Sequence, residues 1–238
     1  MIDTADLLVV KPPPPALSRV FPVTEGSGTL LTADSGDKAS VLGASWATGP
    51  ARLAFNGTSS RVEMQFSPAE FSDDDFLLGA VVRFATISGT RVIAARSANP
   101  NLLRYFQFRQ TGGALEYVSF NYLGDSTPAG ATIISSAAGA VAANTWTLAT
   151  VHVANTSAIL RLNGVQVATG TFVQRTTTLD DTMPIMWGAR RRDASTITDY
   201  LSGDIAAMGV RFGAAPADAA DFEADLRAIA TAKGITLP

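Results

Sequence analysis

Hydrolysis of a glycosidic bond needs two carboxylates flanking the bond, and a β-strand presents both on one face when they stand at alternate positions. The only Glu-x-Asp in the 238-residue chain is Glu223-Ala224-Asp225. It falls inside a helical pattern, where residues two apart face away from each other. Asp73-Asp74-Asp75 closes a loop at 68–75 and Asp180-Asp181 sits in a turn, so neither is a strand-mounted pair. The single histidine, His152, lies in Thr150-Val151-His152-Val153 with no serine motif beside it, and reads as a strand histidine rather than a base. With no cysteine there is no thiol nucleophile, thiolate metal site or disulfide. No P-loop, dinucleotide-binding or nucleophile-elbow spacing occurs either. These residues argue against catalysis and leave binding as the chemistry to look for.

A sugar site needs an exposed aromatic face beside planar hydrogen-bonding groups. Trp187, Arg190, Arg191, Arg192, Asp193 and Tyr200 are the best local combination, since guanidinium forks match carboxylates and sulfates. The alternative is a solvated loop with Trp187 and Tyr200 in the core. A second candidate is 105–122, which carries Phe106, Phe108, Tyr117, Phe120 and Tyr122 on a sheet. Aromatics at alternate positions point to an inner face, or to partial display on a concave one. Oxygen-rich loops at Asp73–Asp75, Asp125, Asp180-Asp181 and Asp199 make calcium a possible but unpredicted cofactor, without EF-hand spacing and with no ligand set assigned.

The elements that must carry these groups are mostly strands. Apolar content is 47%, charged content 16% and net charge −3, which excludes disorder and gives no electrostatic case for nucleic acid. Strand-like runs recur at 51–55, 60–66, 77–84, 91–95, 105–110, 115–122, 145–154, 159–162, 165–169, 184–188 and 205–212. Asn56-Gly57, Ser88-Gly89, Gly112-Gly113 and Asn163-Gly164 punctuate them. Asn163-Gly164, between two alternating runs, predicts a type I′ hairpin. The sequons at Asn56 and Asn155 read as turns. This pattern predicts an all-β, two-sheet antiparallel jelly-roll sandwich over residues 17–215.

The ends differ. Residues 1–16 form a Pro-rich arm, with Pro12-Pro13-Pro14-Pro15 stiffened toward polyproline II. These prolines serve either as a PxxP ligand or, as the main reading, as a spacer through which the arm docks on another subunit. No signal peptide or membrane span is expected, since Leu7-Leu8-Val9-Val10 is too short; synthesis in the cytoplasm follows. At 216–238, Phe222, Leu226, Ile229 and Ala230 mark one amphipathic helix, with Asp218 as expected cap and Gly234 as stop.

Several segments together resemble the laminin G-like, concanavalin A-like jelly-roll family in its bacterial or phage form. They are Phe21-Pro22-Val23-Thr24-Glu25-Gly26-Ser27-Gly28-Thr29 with Asp34-Ser35-Gly36, then 49–66, then Asp75–Arg83, where Val82 stands near the position of the usual tryptophan. Next come Trp146 in 144–151, the 159–167 hairpin, Met186-Trp187-Gly188-Ala189 and 201–210. The resemblance implies the sandwich fold and a family containing lectins, adhesion modules, glycosidases and virion proteins. The expected function is a non-catalytic phage or phage-like virion component (head decoration, spike or fibre). It would dock by its arm to virion subunits, in a homo-oligomer or larger assembly, and face cell-surface polysaccharide after release. A free lectin is the alternative, and a divergent glycoside hydrolase a more distant one.

Overall fold

A computed structural model describes residues 18–65, 75–97, 104–122, 128–173, 183–192, 195–214 and 217–238. The proline arm, Asp73, Asp74, Asp125, Asp180, Asp181 and Asp193 lie outside the described residues.

The chain begins with β1 (Ser18–Phe21), β2 (Leu30–Thr32), β3 (Lys38–Leu42), β4 (Ser45–Ala47), β5 (Arg52–Asn56) and β6 (Arg61–Met64). Longer strands follow: β7 (Asp75–Phe84), β8 (Thr90–Ser97), β9 (Arg104–Thr111), β10 (Ala114–Tyr122), β11 (Pro128–Ser135) and β12 (Trp146–Ala154). Then come β13 (Ser157–Leu162), β14 (Val165–Thr171), β15 (Ile185–Trp187), β16 (Arg190–Arg191), β17 (Ile197–Thr198), β18 (Ser202–Phe212) and the helix α1 (Asp218–Ala232). One sheet runs β14-β13-β12-β7-β18-β5-β4, with β1 also on β18. The other runs β11-β10-β9-β8-β15-β6-β3-β2, and β16-β17 is a separate hairpin. The chain is therefore the expected two-sheet sandwich with a C-terminal helix. Sequence patterning missed β11 and the shortest strands, which have too few residues to show alternation.

Period-two alternation builds the core. Phe76, Leu78, Ala80, Val82 and Phe84 of β7 face the second sheet, where Phe106, Phe108, Ile185 and Trp187 meet them. The other face of β7 is also buried, because Leu77 and Val81 lie under Phe222 and Leu226 of the helix. A sheet covered on both sides explains why β7, β12 and β18 are apolar almost throughout. Gly79 and Gly209 stand opposite each other in register and form the seat for the helix. A Cβ on Gly79 would stand 2.8 Å from Phe222 and 2.7 Å from Leu226. Beside this seat Glu223 is buried, accepting from Thr150 Oγ1 at 2.6 Å and Arg161 Nε at 2.8 Å. Asp218 does not cap the helix: Ala217 holds the cap position without a side-chain bond, and Asp218 occupies the first turn. An acid there still meets the positive end of the helix dipole.

The hairpin at Asn163-Gly164 is as expected, with φ of 53° and 89° and Leu162 opposite Val165. Lys233, just past the helix, donates to the carbonyls of Val23 at 2.9 Å, Ala51 at 2.9 Å and Ala206 at 2.7 Å. Burial pushes its ammonium down to about 8, while Glu25 pulls it back up. The unfolded chain keeps that proton to about 10.4, so across this window it binds more protons than the folded chain and stability rises with pH. Urea titrations at about pH 7.5 and about pH 10 are expected to show wild type gaining on Lys233→Met. Parallel behaviour of the two proteins would remove this assignment.

Candidate binding rim

Antiparallel pairing brings one set of connections to the same end of the sandwich: 43–44, 57–60, 85–89, 112–113, 136–145, 163–164 and 188–201. The last of these is the longest excursion in sequence. After Trp187 the chain turns at Gly188, where φ is 78° and a Cβ would stand 2.4 Å from the Phe55 ring. Only glycine fits this corner. The hairpin β16-β17 then rises from the sheet, with Arg190 opposite Thr198 and Arg191 opposite Ile197. Its base is tied down by backbone bonds. Gly188 N–H donates to Ile93 at 2.9 Å, Leu201 N–H to Gly188 at 2.8 Å, and Val92 N–H to Asp199 at 3.1 Å. Arg192 N–H donates to Thr196 at 2.8 Å.

The hairpin gathers positive charge. Arg190 pairs with Asp199, which itself sits at φ 52°. Arg191 and Tyr200 are half-buried and Arg192 is exposed. Arg91 comes from β8, next to the residue that bonds Asp199, and its Nη1 donates to the Thr90 carbonyl at 2.9 Å. Arg190, Arg191 and Arg192 thus follow one another on this connection, and Arg91 lies on the strand bonded to its base. Thr196 and Thr198 add hydroxyls on the same hairpin. Fixed guanidinium groups beside hydroxyls suit recognition of a carboxylated or sulfated polyol.

Trp187 requires a correction. It is 0% exposed and packs in the central core, so its ring is no platform for a ligand. In a strand of three residues Ile185 and Trp187 share the inward face and Met186 takes the outward one. Arg190 and Arg191 form β16, Arg192 follows it and Tyr200 comes just after β17, so all four belong to the connection between β15 and β18. Arg91 and Asp199 complete the group, and no spacing signal links β8 to this hairpin.

The aromatic candidates at 105–122 are interior. Phe106 lies 5.2 Å from Phe76 and 6.2 Å from Tyr117 between ring centroids. Phe120 is buried with Val118, and the Tyr122 side chain lies outside the described residues. On the outward face of the second sheet one cross-strand row runs Leu30, Ser40, Glu63, Met186, Ala95, Gln107, Val118 and Ile133. Its middle is buried, Gln107 being 1% exposed, so this face offers no open groove at its centre. Beside the row Arg109 pairs with Glu116 at 2.7 Å.

The acids are engaged elsewhere. Glu223 is inside the helix seat and Asp225 pairs with Arg211 at 3.4 Å, so the two carboxylates diverge. Asp204 takes Arg52 at 3.0 Å and Arg83 at 2.6 Å. His152 is buried and its Nε2 donates to the Ala214 carbonyl at 3.3 Å, an acceptor that fixes the tautomer. Asn56 Oδ1 accepts from the backbone of Thr58, Ser59 and Ser60, and Asn155 turns at φ 51°. Among the described residues no group of three or more His, Cys, Asp or Glu is placed to hold a metal ion. Nor is any described helix long and apolar enough to cross a membrane.

A family model described as the concanavalin A-like lectin/glucanases superfamily matches residues 56–211. No curated protein sequence matches the chain. Among solved structures, the binding domain of Paraclostridial Mosquitocidal Protein 1 is similar, with TM-score 0.63 and 12% identity over 92% of this chain and 52% of that one. The binding domain of botulinum neurotoxin DC, in complex with SialylT, gives TM-score 0.63 and 12% identity over 89% and 50%. A structure of botulinum neurotoxin type C, whose cell entry is described as dependent on two ganglioside molecules, gives TM-score 0.64 and 11% identity over 90% and 51%. The chain spans about half the length of each of these structures, and at such identities the likeness is one of fold.

Proposed function

The chain belongs to the concanavalin A-like lectin/glucanases superfamily, and from that premise we propose that it is a non-catalytic module binding acidic carbohydrate through the β16-β17 rim. The observation that carries this is the run Arg190-Arg191-Arg192 on a hairpin whose base is bonded to β8, the strand that carries Arg91. Fixed guanidinium forks lose little freedom on meeting a carboxylate or sulfate. The similar binding domains, one solved with SialylT and one described through gangliosides, support the reading as analogies of fold. The dispersal of the acids into structural pairs supports a role without hydrolysis.

The finer reading is a phage or phage-like virion component, attached by residues 1–16 and presenting the rim to a surface polysaccharide. The cysteine-free chain and Pro12-Pro13-Pro14-Pro15 as a spacer support it. Mass spectrometry of purified particles is expected to find the chain, and its absence would defeat that reading alone.

For the binding role, an array of acidic and neutral glycans is expected to show saturable binding confined to acidic members. Arg191→Ala and Arg192→Ala should each weaken it about tenfold or more, the worth of one charge-assisted hydrogen bond. Binding of neutral glycans that ignores both substitutions would overturn the proposal.

A further inference from the structure

The connection 188–201 (GARRRDASTITDYL) carries its own anions. Arg190, Arg191 and Arg192 are accompanied by Asp193 and Asp199, so three positive charges meet two negative ones and the net is +1. The Asp199 carboxylate pairs with Arg190, the two side chains being 26% and 17% exposed. A pair sheltered to this degree is screened by salt less than one in open water. Arg190 and Arg191 are neighbours on one strand and project to opposite faces of the hairpin, and Ile197 rather than an acid stands across from Arg191. Asp199 thus neutralises Arg190 in particular.

The backbone does not explain this charge. Asp199 has φ 52°, a left-handed conformation that asparagine and glycine adopt as readily. Its carbonyl accepts the Val92 N–H at 3.1 Å, a bond that needs no particular side chain. A neutral residue would close the hairpin equally well, so the carboxylate has its effect on Arg190. Resting on the acidic-carbohydrate role proposed above, we infer that Asp199 is the specificity-determining residue of this rim. It admits glycans with isolated carboxylates and disfavours densely sulfated chains. An isolated carboxylate needs one or two guanidinium forks and meets them bidentately. A densely sulfated chain draws its affinity from many charges at once, and a connection of net +1 returns little of it. Each sulfate brought near Arg190 also meets the Asp199 carboxylate, a like-charge contact that a single carboxylate docked on Arg191 or Arg192 escapes.

The probes are an oligogalacturonate, with one carboxylate per sugar, and a dextran sulfate oligomer of equal length. At physiological salt the wild-type chain is expected to bind the first more tightly. Asp199→Asn, which suits the same backbone conformation, should tighten dextran sulfate binding about fivefold, the effect of one unit charge at close range in water, and leave oligogalacturonate within about twofold. The slope of log affinity against log salt for dextran sulfate should steepen by about one. Asp225→Asn makes the same change of net charge at the Arg211 pair, where Asp225 is 57% exposed on the helix, and should leave both affinities as in wild type. Wild-type binding of oligogalacturonate with a selectivity unmoved by Asp199→Asn would overturn this inference and leave the acidic-carbohydrate role standing, as would a wild type that favours dextran sulfate. Loss of both affinities together, with a lower urea midpoint, would also overturn it, since Asp199 would then only brace the hairpin. A wild type that binds neither oligomer would remove the binding role itself, and this inference with it.

Discussion

Trp187→Ala should lower the stability of the fold by about 3–5 kcal/mol, the cost of deleting a large core aromatic, and should leave the glycan affinity of the folded fraction unchanged. The ring is fully buried between the sheets, with Val62 and Ala94 opposite it in register. Removing it opens a cavity in a cluster that also holds Phe55, Phe84 and Ile185. Its indole N–H is buried and has no hydrogen-bond partner among the described residues. Trp187→Phe should therefore cost markedly less, since it sheds an unsatisfied donor while keeping most of the apolar surface. Urea unfolding of the two variants and glycan titration of the folded protein separate a core role from a ligand role. A stable Trp187→Ala protein that has lost binding would show that the ring serves the ligand.

Gly203→Ala is expected to be harsher, costing about 4 kcal/mol or more and leaving little folded protein. Gly203 has φ 149° and lies between Phe55 and Phe84 in register. A Cβ there would stand 2.1 Å from the Arg83 carbonyl oxygen and 3.0 Å from the Phe84 Cα. Both neighbours are backbone, so relief demands that β18 and β7 separate at the end where their pairing begins. The loss would reach Asp204, which binds Arg83 and Arg52 from the next position. Gly213→Ala is the control: its φ is 64° but nothing lies within 4 Å of the added carbon. That strain alone should cost about 1 kcal/mol, visible as a modest fall in the unfolding midpoint. Equal behaviour of the two alanine variants would mean that the close approach at Gly203 is relieved cheaply.

These two residues also show where sequence reasoning succeeds and where it stops. Gly203 lies in the 201–210 segment that carries the family resemblance, and the backbone of Arg83 and Phe84 leaves no room there for a Cβ. The Asn163-Gly164 turn was equally legible, because both residues accept positive φ and the flanking strands alternate. The helix was legible in Phe222, Leu226 and Ala230, which are buried at the expected spacing, though its cap was not. Trp187 was left ambiguous because a strand of three residues offers no run from which to read which side faces inward. The aromatic run at 105–110 allowed the interior placement but did not require it.

What the sequence alone determined, then, is the set of local signals: alternation, tight turns, one helical face, no cysteine and a run of three arginines. Each acts over a few residues, so each survives without knowledge of the fold. Tertiary structure decided what depends on distant partners. It buried Trp187, bonded β8, which carries Arg91, to the base of the 190–198 hairpin, and spent Glu223 and Asp204 on ion pairs. It also left β14 as the terminal strand of its sheet. The physical reason is common to all four. Burial, charge pairing and strand order are set by sheet register between segments far apart in the chain, and no local spacing encodes that register.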